Sequence, residues 1–78
     1  RNRSVFGEMP EDVMALTDRE REVLEWAGRG KTMAQTSELL DISLETVKTY
    51  MQRSIKKLNA LNKIHAVTKA YKLGVIDF

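Results

Sequence analysis

Cysteine is absent from the chain, which removes disulfides, thiolate zinc sites and cysteine nucleophiles together and fits a reducing compartment. Histidine occurs once, at His65, so no second imidazole can join it in a metal site, and it reads as a structural or solvent-facing residue. No run of about 18 apolar residues and no secretory pattern occurs, so no membrane partner is expected and a cytoplasmic location is. Glycine-rich phosphate loops are missing, and 78 residues are too few to build a water-excluding cleft, which argues against an enzyme. Acids are missing too from one whole region. Between Thr46 and Ile76 there is no aspartate or glutamate.

What is present is enough for one domain with a modest core, burying about 60% of the unfolded chain's surface. Beginning at Arg1 rather than methionine, the chain is expected to be a piece of a longer protein. Its net charge of +2 conceals a strong asymmetry. Residues 1–45 hold six Lys/Arg and ten Asp/Glu, whereas residues 46–78 hold seven Lys/Arg against Asp77 alone. The second half should therefore project a positive field toward a polyanion, unless it is only a solvated face.

Residues 1–15 contain the sole proline and no sustained period, and read as a linker or N-terminal arm, leaving residues 16–78 as the folded domain. Thr17-Asp18-Arg19-Glu20 is a capping box opening a first helix, with Val23, Leu24 and Ala27 as its buried stripe and Gly28 and Gly30 at its end. Thr32-Met33-Ala34-Gln35 is a second capping box, for a helix to about Leu40. After a short turn at Asp41-Ile42, Ser43 caps a third helix. There Leu44, Val47, Met51, Ile55 and Leu58 fall within one arc of about 80°, with Glu45, Thr49, Gln52, Arg53 and Lys56 opposite and Lys48 on the flank. Asn62 caps a fourth helix that turns Ala66, Val67, Ala70 and Leu73 inward and stops at Gly74. Strand signals are missing. The expected fold is all-α, four short helices with tight connections.

A short helix, a turn of three or four residues and a longer capped helix with a basic outer face is the layout of a helix-turn-helix. The second helix of that unit enters the DNA major groove, with flanking phosphates attracting its lysines and arginines. At these residues the chain resembles the LuxR-type helix-turn-helix regulators. The resemblance rests on Leu16-Thr17-Asp18-Arg19-Glu20-Arg21-Glu22-Val23-Leu24, on Ile42-Ser43 with Thr46-Val47-Lys48, on Lys57-Leu58 and on Leu73-Gly74-Val75-Ile76. Residues 26–32 and 57–63 look like the quorum-sensing branch. That implies an acyl-homoserine-lactone-binding domain elsewhere in the protein and no cofactor in this one.

The resemblance places base contacts at Lys48 and Gln52, with Thr49 between them on the same surface. Phosphate contacts are expected at Lys31, Thr32, Thr46, Tyr50, Arg53, Lys56 and Lys57, whose donors would fix the register. Along the fourth helix Ile64, Thr68 and Tyr71 form a second partly apolar stripe, where the resemblance puts a homodimer contact, weak in this domain alone, that would set two copies on a near-palindromic duplex. RNA polymerase would be a further partner of the whole regulator. Glu45 reads either as a cytosine contact or as an acid favoured in a helix's first turn. Thr36, Ser37, Asp41, Tyr50 and Ser54 depart from the family's usual residues, and Thr36 and Ser37 should thin the core. Trp26 is expected to pack at the core or its edge. The competing functions are the output domain of a response regulator and a protein-interaction module of helix-turn-helix shape.

Overall fold

The computed structural model describes residues 16–77; the arm proposed for residues 1–15 lies outside them. Four helices follow in order: α1 (Asp18–Gly28), α2 (Met33–Leu40), α3 (Leu44–Lys57) and α4 (Lys63–Lys72). No strand occurs among the described residues.

Each helix starts where a side chain takes up an otherwise orphaned amide. The Thr17 and Thr32 hydroxyls accept from the amides of Glu20 and Gln35, whose side chains reach back to the cap amides, so both boxes are complete. Ser43 and Asn62 accept from the amides of Thr46 and His65. His65 has a structural role of its own, its Nδ1 accepting from the Leu61 amide at 3.0 Å.

Each helix also ends in the same way. A residue with positive φ, in turn Gly30, Asp41, Asn59 and Gly74, reverses the chain. The next amide, of Lys31, Ile42, Ala60 or Val75, then bonds the carbonyl five residues back, at Trp26, Ser37, Ile55 or Ala70. This closes the helix and brings the following residue onto the body of the fold. Ile42, Ala60 and Val75 accordingly pack against the core. Asp41 keeps the left-handed conformation without glycine, at φ 57° and ψ 47°.

The core consists of Val23, Leu24, Val47, Met51, Leu58, Ala66, Ala70 and Ile76. α3 crosses the middle of it, touching α1, α2 and α4. The inward face of α3 differs from the expected stripe at two positions. Leu44 is exposed, and Ser54, which the stripe did not include, is fully buried. The Ser54 hydroxyl avoids an unpaired burial by donating to the Tyr50 carbonyl at 2.8 Å. Thr36 is buried as expected, donating to the Thr32 carbonyl at 2.9 Å. Trp26 is half-buried and is not among the residues packed on the core; the Arg29 guanidinium lies over its ring, 5.2 Å from the centroid.

Candidate nucleic-acid interface

α3 is held by an ion pair that its own sequence does not announce. Lys57, at its C-terminal end, reaches across to α1 and places Nζ 2.7 Å from Oε1 of Glu20. Glu20 is 1% exposed. The same oxygen accepts from the Thr17 amide at 2.9 Å, so one carboxylate closes the α1 cap and anchors α3. Burial pushes the Glu20 carboxyl up, but the Lys57 ammonium and the Thr17 hydrogen bonds outweigh it and hold the group below the usual glutamate value. No buried side-chain nitrogen or oxygen among the described residues lacks a hydrogen-bond partner. With its inner face packed and one end clamped, α3 presents its other face from a fixed position.

That outer face carries Lys48, Thr49, Gln52, Arg53 and Lys56, all exposed. They recur at spacings of three and four, one continuous stripe along the helix. Arginine and lysine there suit phosphate oxygens, while lysine and glutamine near the helix start have the donors and acceptors to engage base edges. The remaining expected contacts sit beside the stripe or apart from it. Tyr50 is half-buried against the core. The Thr46 hydroxyl pairs with Ser43 Oγ at 2.8 Å, and Lys57 is drawn to Glu20. Lys31 and Thr32 are exposed at the start of α2, where the Thr32 amide is engaged by Gln35 Oε1 at 2.9 Å and Lys31 lines a shallow groove with Gln35, Glu38 and Leu39. Ile64, Thr68 and Tyr71 are all exposed on α4, Ile64 at 75% and Tyr71 at 51%. Glu20 is the residue that pattern analysis missed as part of this assembly, because its capping-box position already accounted for its acid.

Three residues, Asp41 to Ser43, join α2 to α3, and the second of these helices shows a basic, acid-poor face. The class is a helix-turn-helix DNA-binding domain. More particularly, the chain belongs to the luxR family of bacterial regulatory proteins, whose family model, GerE, matches residues 14–70. Among curated proteins it is 47% identical over 68 residues to the transcriptional activator protein SolR of Ralstonia nicotianae, covering 87% of this chain and 29% of SolR. It is 47% identical over 62 residues to the quorum sensing-dependent transcriptional regulator VjbR of Brucella ovis, covering 80% of this chain and 24% of VjbR. The chain thus spans 24–29% of these relatives' length. The solved structure of the transcription factor GerE superposes with a TM-score of 0.76 at 31% identity, over 80% of this chain and 92% of that one. Escherichia coli SdiA gives 0.77 at 38% identity, over 88% of this chain and 28% of SdiA. Relatives of this chain are transcriptional regulators, and no described helix is long and apolar enough to cross a membrane.

Proposed function

We propose that this chain is the DNA-reading output unit of a quorum-sensing transcriptional regulator of the bacterial cytoplasm, with α3 in the major groove. The carrying observation is the exposed stripe of Lys48, Thr49, Gln52, Arg53 and Lys56 on a helix whose opposite face is buried and whose end is clamped. Lys48, Thr49 and Gln52 lie nearest the start of α3 and contact bases; Arg53, Lys56, Tyr50, Thr46 and the start of α2 at Lys31 and Thr32 hold phosphates. Lys57 adds least to the phosphate grip, because Glu20 already shares its charge.

Two copies would meet through Ile64, Thr68 and Tyr71 on α4, weakly in this domain alone, and set their α3 helices about one turn apart on a near-palindromic duplex. The quorum-sensing assignment is supported by relatives such as VjbR. It implies a second domain that takes an acyl-homoserine lactone, and contact of the whole regulator with RNA polymerase. The binding test selects its own operator. Duplexes captured by the chain from a randomised library, and scrambled versions of them, are titrated across a salt series. The selected duplexes should bind at least about 100-fold tighter, and both sets should weaken steeply with salt, by about 0.9 log units per neutralised phosphate for each tenfold rise in salt. Salt-independent binding with no preference between the two sets would sink the assignment.

A further inference from the structure

One side chain of α3 has the wrong sign for a helix laid against phosphates. Glu45 is the sole acid on α3, in its first turn, with its side chain 85% exposed. The fold makes little use of it. Of the first-turn amides, that of Thr46 is already taken by Ser43 Oγ at 3.0 Å. Its ionic neighbour is Lys48, whose Nζ lies 3.9 Å from Oε2, an ion pair too long to be a hydrogen bond. The pair keeps both charged heads together at the start of the exposed stripe.

A carboxylate turned toward the DNA backbone only repels it. Turned toward a major-groove edge it finds one base that offers a donor without a neighbouring acceptor, cytosine through its N4 amino group. We propose that Glu45 is a specificity-determining residue: it accepts the cytosine N4–H of the base pair next to the one whose guanine Lys48 reads. The spacing suits this division. Three residues advance about 4.5 Å along a helix, comparable to the roughly 3.4 Å between successive bases. On binding, Lys48 exchanges Glu45 for guanine O6 and N7, and Glu45 exchanges Lys48 for cytosine N4. Where the contacted strand presents guanine or thymine at that step, the carboxylate is left facing oxygen or nitrogen lone pairs, and the wrong sequence is rejected by repulsion as well as by a missing bond.

This rests on the major-groove reading of α3, and the experiment separates the two. The chain, its Glu45→Ala and Glu45→Gln variants and Gln52→Ala are titrated on the selected half-site and on duplexes carrying each single base-pair change. With the unsubstituted chain, one cytosine should cost about tenfold or more when replaced. Glu45→Ala should flatten that position alone while binding scrambled duplex a few-fold tighter, having lost a repulsive charge. Glu45→Gln should move the preference there toward adenine, which glutamine can pair through N6 and N7. If both variants bind every duplex tighter by one common factor, with the ranking of bases unchanged, Glu45 acts by charge alone and the proposal is overturned. If the unsubstituted chain shows no base preference and Gln52→Ala changes nothing, the reading of α3 itself fails.

Discussion

α3 carries an ion pair at each end, and the two differ in nearly everything except their chemistry. At the C-terminal end Lys57 meets Glu20 at 2.7 Å, with side chains 24% and 1% exposed. Near the N-terminal end Lys48 faces Glu45 at 3.9 Å, with side chains 53% and 85% exposed. The first pair joins two helices and the second joins neighbours on one turn. Burial decides the role of each. A desolvated pair is expensive to break, because removing one partner strands the other, whereas an exposed pair is screened by water and easily exchanges partners. The closed end fixes where α3 stands, and the open end can exchange its partners.

Breaking the closed end should give the largest effect. Lys57→Met leaves the Glu20 carboxylate buried without its cation and should lower stability by about 3 kcal/mol, seen as a lower denaturant midpoint with no change in slope. The pair should also leave a mark on acid unfolding. Since Glu20 has a depressed folded-state pKa, its contribution is complete above the unfolded value of about 4.3 and is lost as pH falls through the lower folded value. Stability of the unsubstituted chain should therefore drop through this acid range, and Glu20→Gln should flatten the drop.

Much of this fold was legible in the sequence because its signals are local. Caps at Thr17, Thr32, Ser43 and Asn62 each involve residues three apart, and the inward faces of α3 and α4 follow from a simple period. Glu20 and Lys57 are 37 residues apart, and no local pattern separates a capping glutamate that stays in water from one that becomes the anchor of another helix. Ser54 was hidden for a different reason: its hydroxyl reads as polar until its bond to the Tyr50 carbonyl makes burial cheap. Asn59 at φ 55° ends α3 as glycine ends α1 and α4, but asparagine signals this less clearly than glycine does. The exposed stripe of α3 was legible as a face. The base contacts assigned on it rest on family resemblance, and the phosphate contacts on side-chain chemistry, not on the period.

The open end is probed next. Gln52→Ala should cost about 1 to 3 kcal/mol on a selected duplex, little on a scrambled one, and relax one base pair. Gln52 is exposed and takes no part in the clamp of Glu20 and Lys57, so thermal unfolding without DNA should be unchanged. Equal losses on both duplexes would remove Gln52 from the base-reading set. A smaller effect belongs to the scaffold of α2. Thr36 is 2% exposed, and its hydroxyl shares the Thr32 carbonyl with its own amide, at 2.9 Å each. Thr36→Val keeps the shape and leaves that carbonyl bonded, so it should raise stability by about 0.5 to 1 kcal/mol. A lowered midpoint would show that the hydroxyl contributes more than the apolar surface replacing it.

The smallest effect tests the comparison most directly. If the pair of Glu45 and Lys48 belongs to recognition rather than to the fold, then Glu45→Ala should change stability without DNA by less than about 0.5 kcal/mol. Two weak terms contribute, the screened attraction to Lys48 and the favourable position of an acid near a helix N-terminus, and both fade with salt. The difference between Glu45→Ala and the unsubstituted chain should therefore shrink further between low and high ionic strength. The loss in Lys57→Met should persist, because water and ions do not reach the Glu20 carboxylate. Denaturant midpoints of the two variants at two salt concentrations decide the matter. A large, salt-resistant loss in Glu45→Ala would mean that the two ends of α3 are held alike, and that the first turn of this helix depends on its acid to fold.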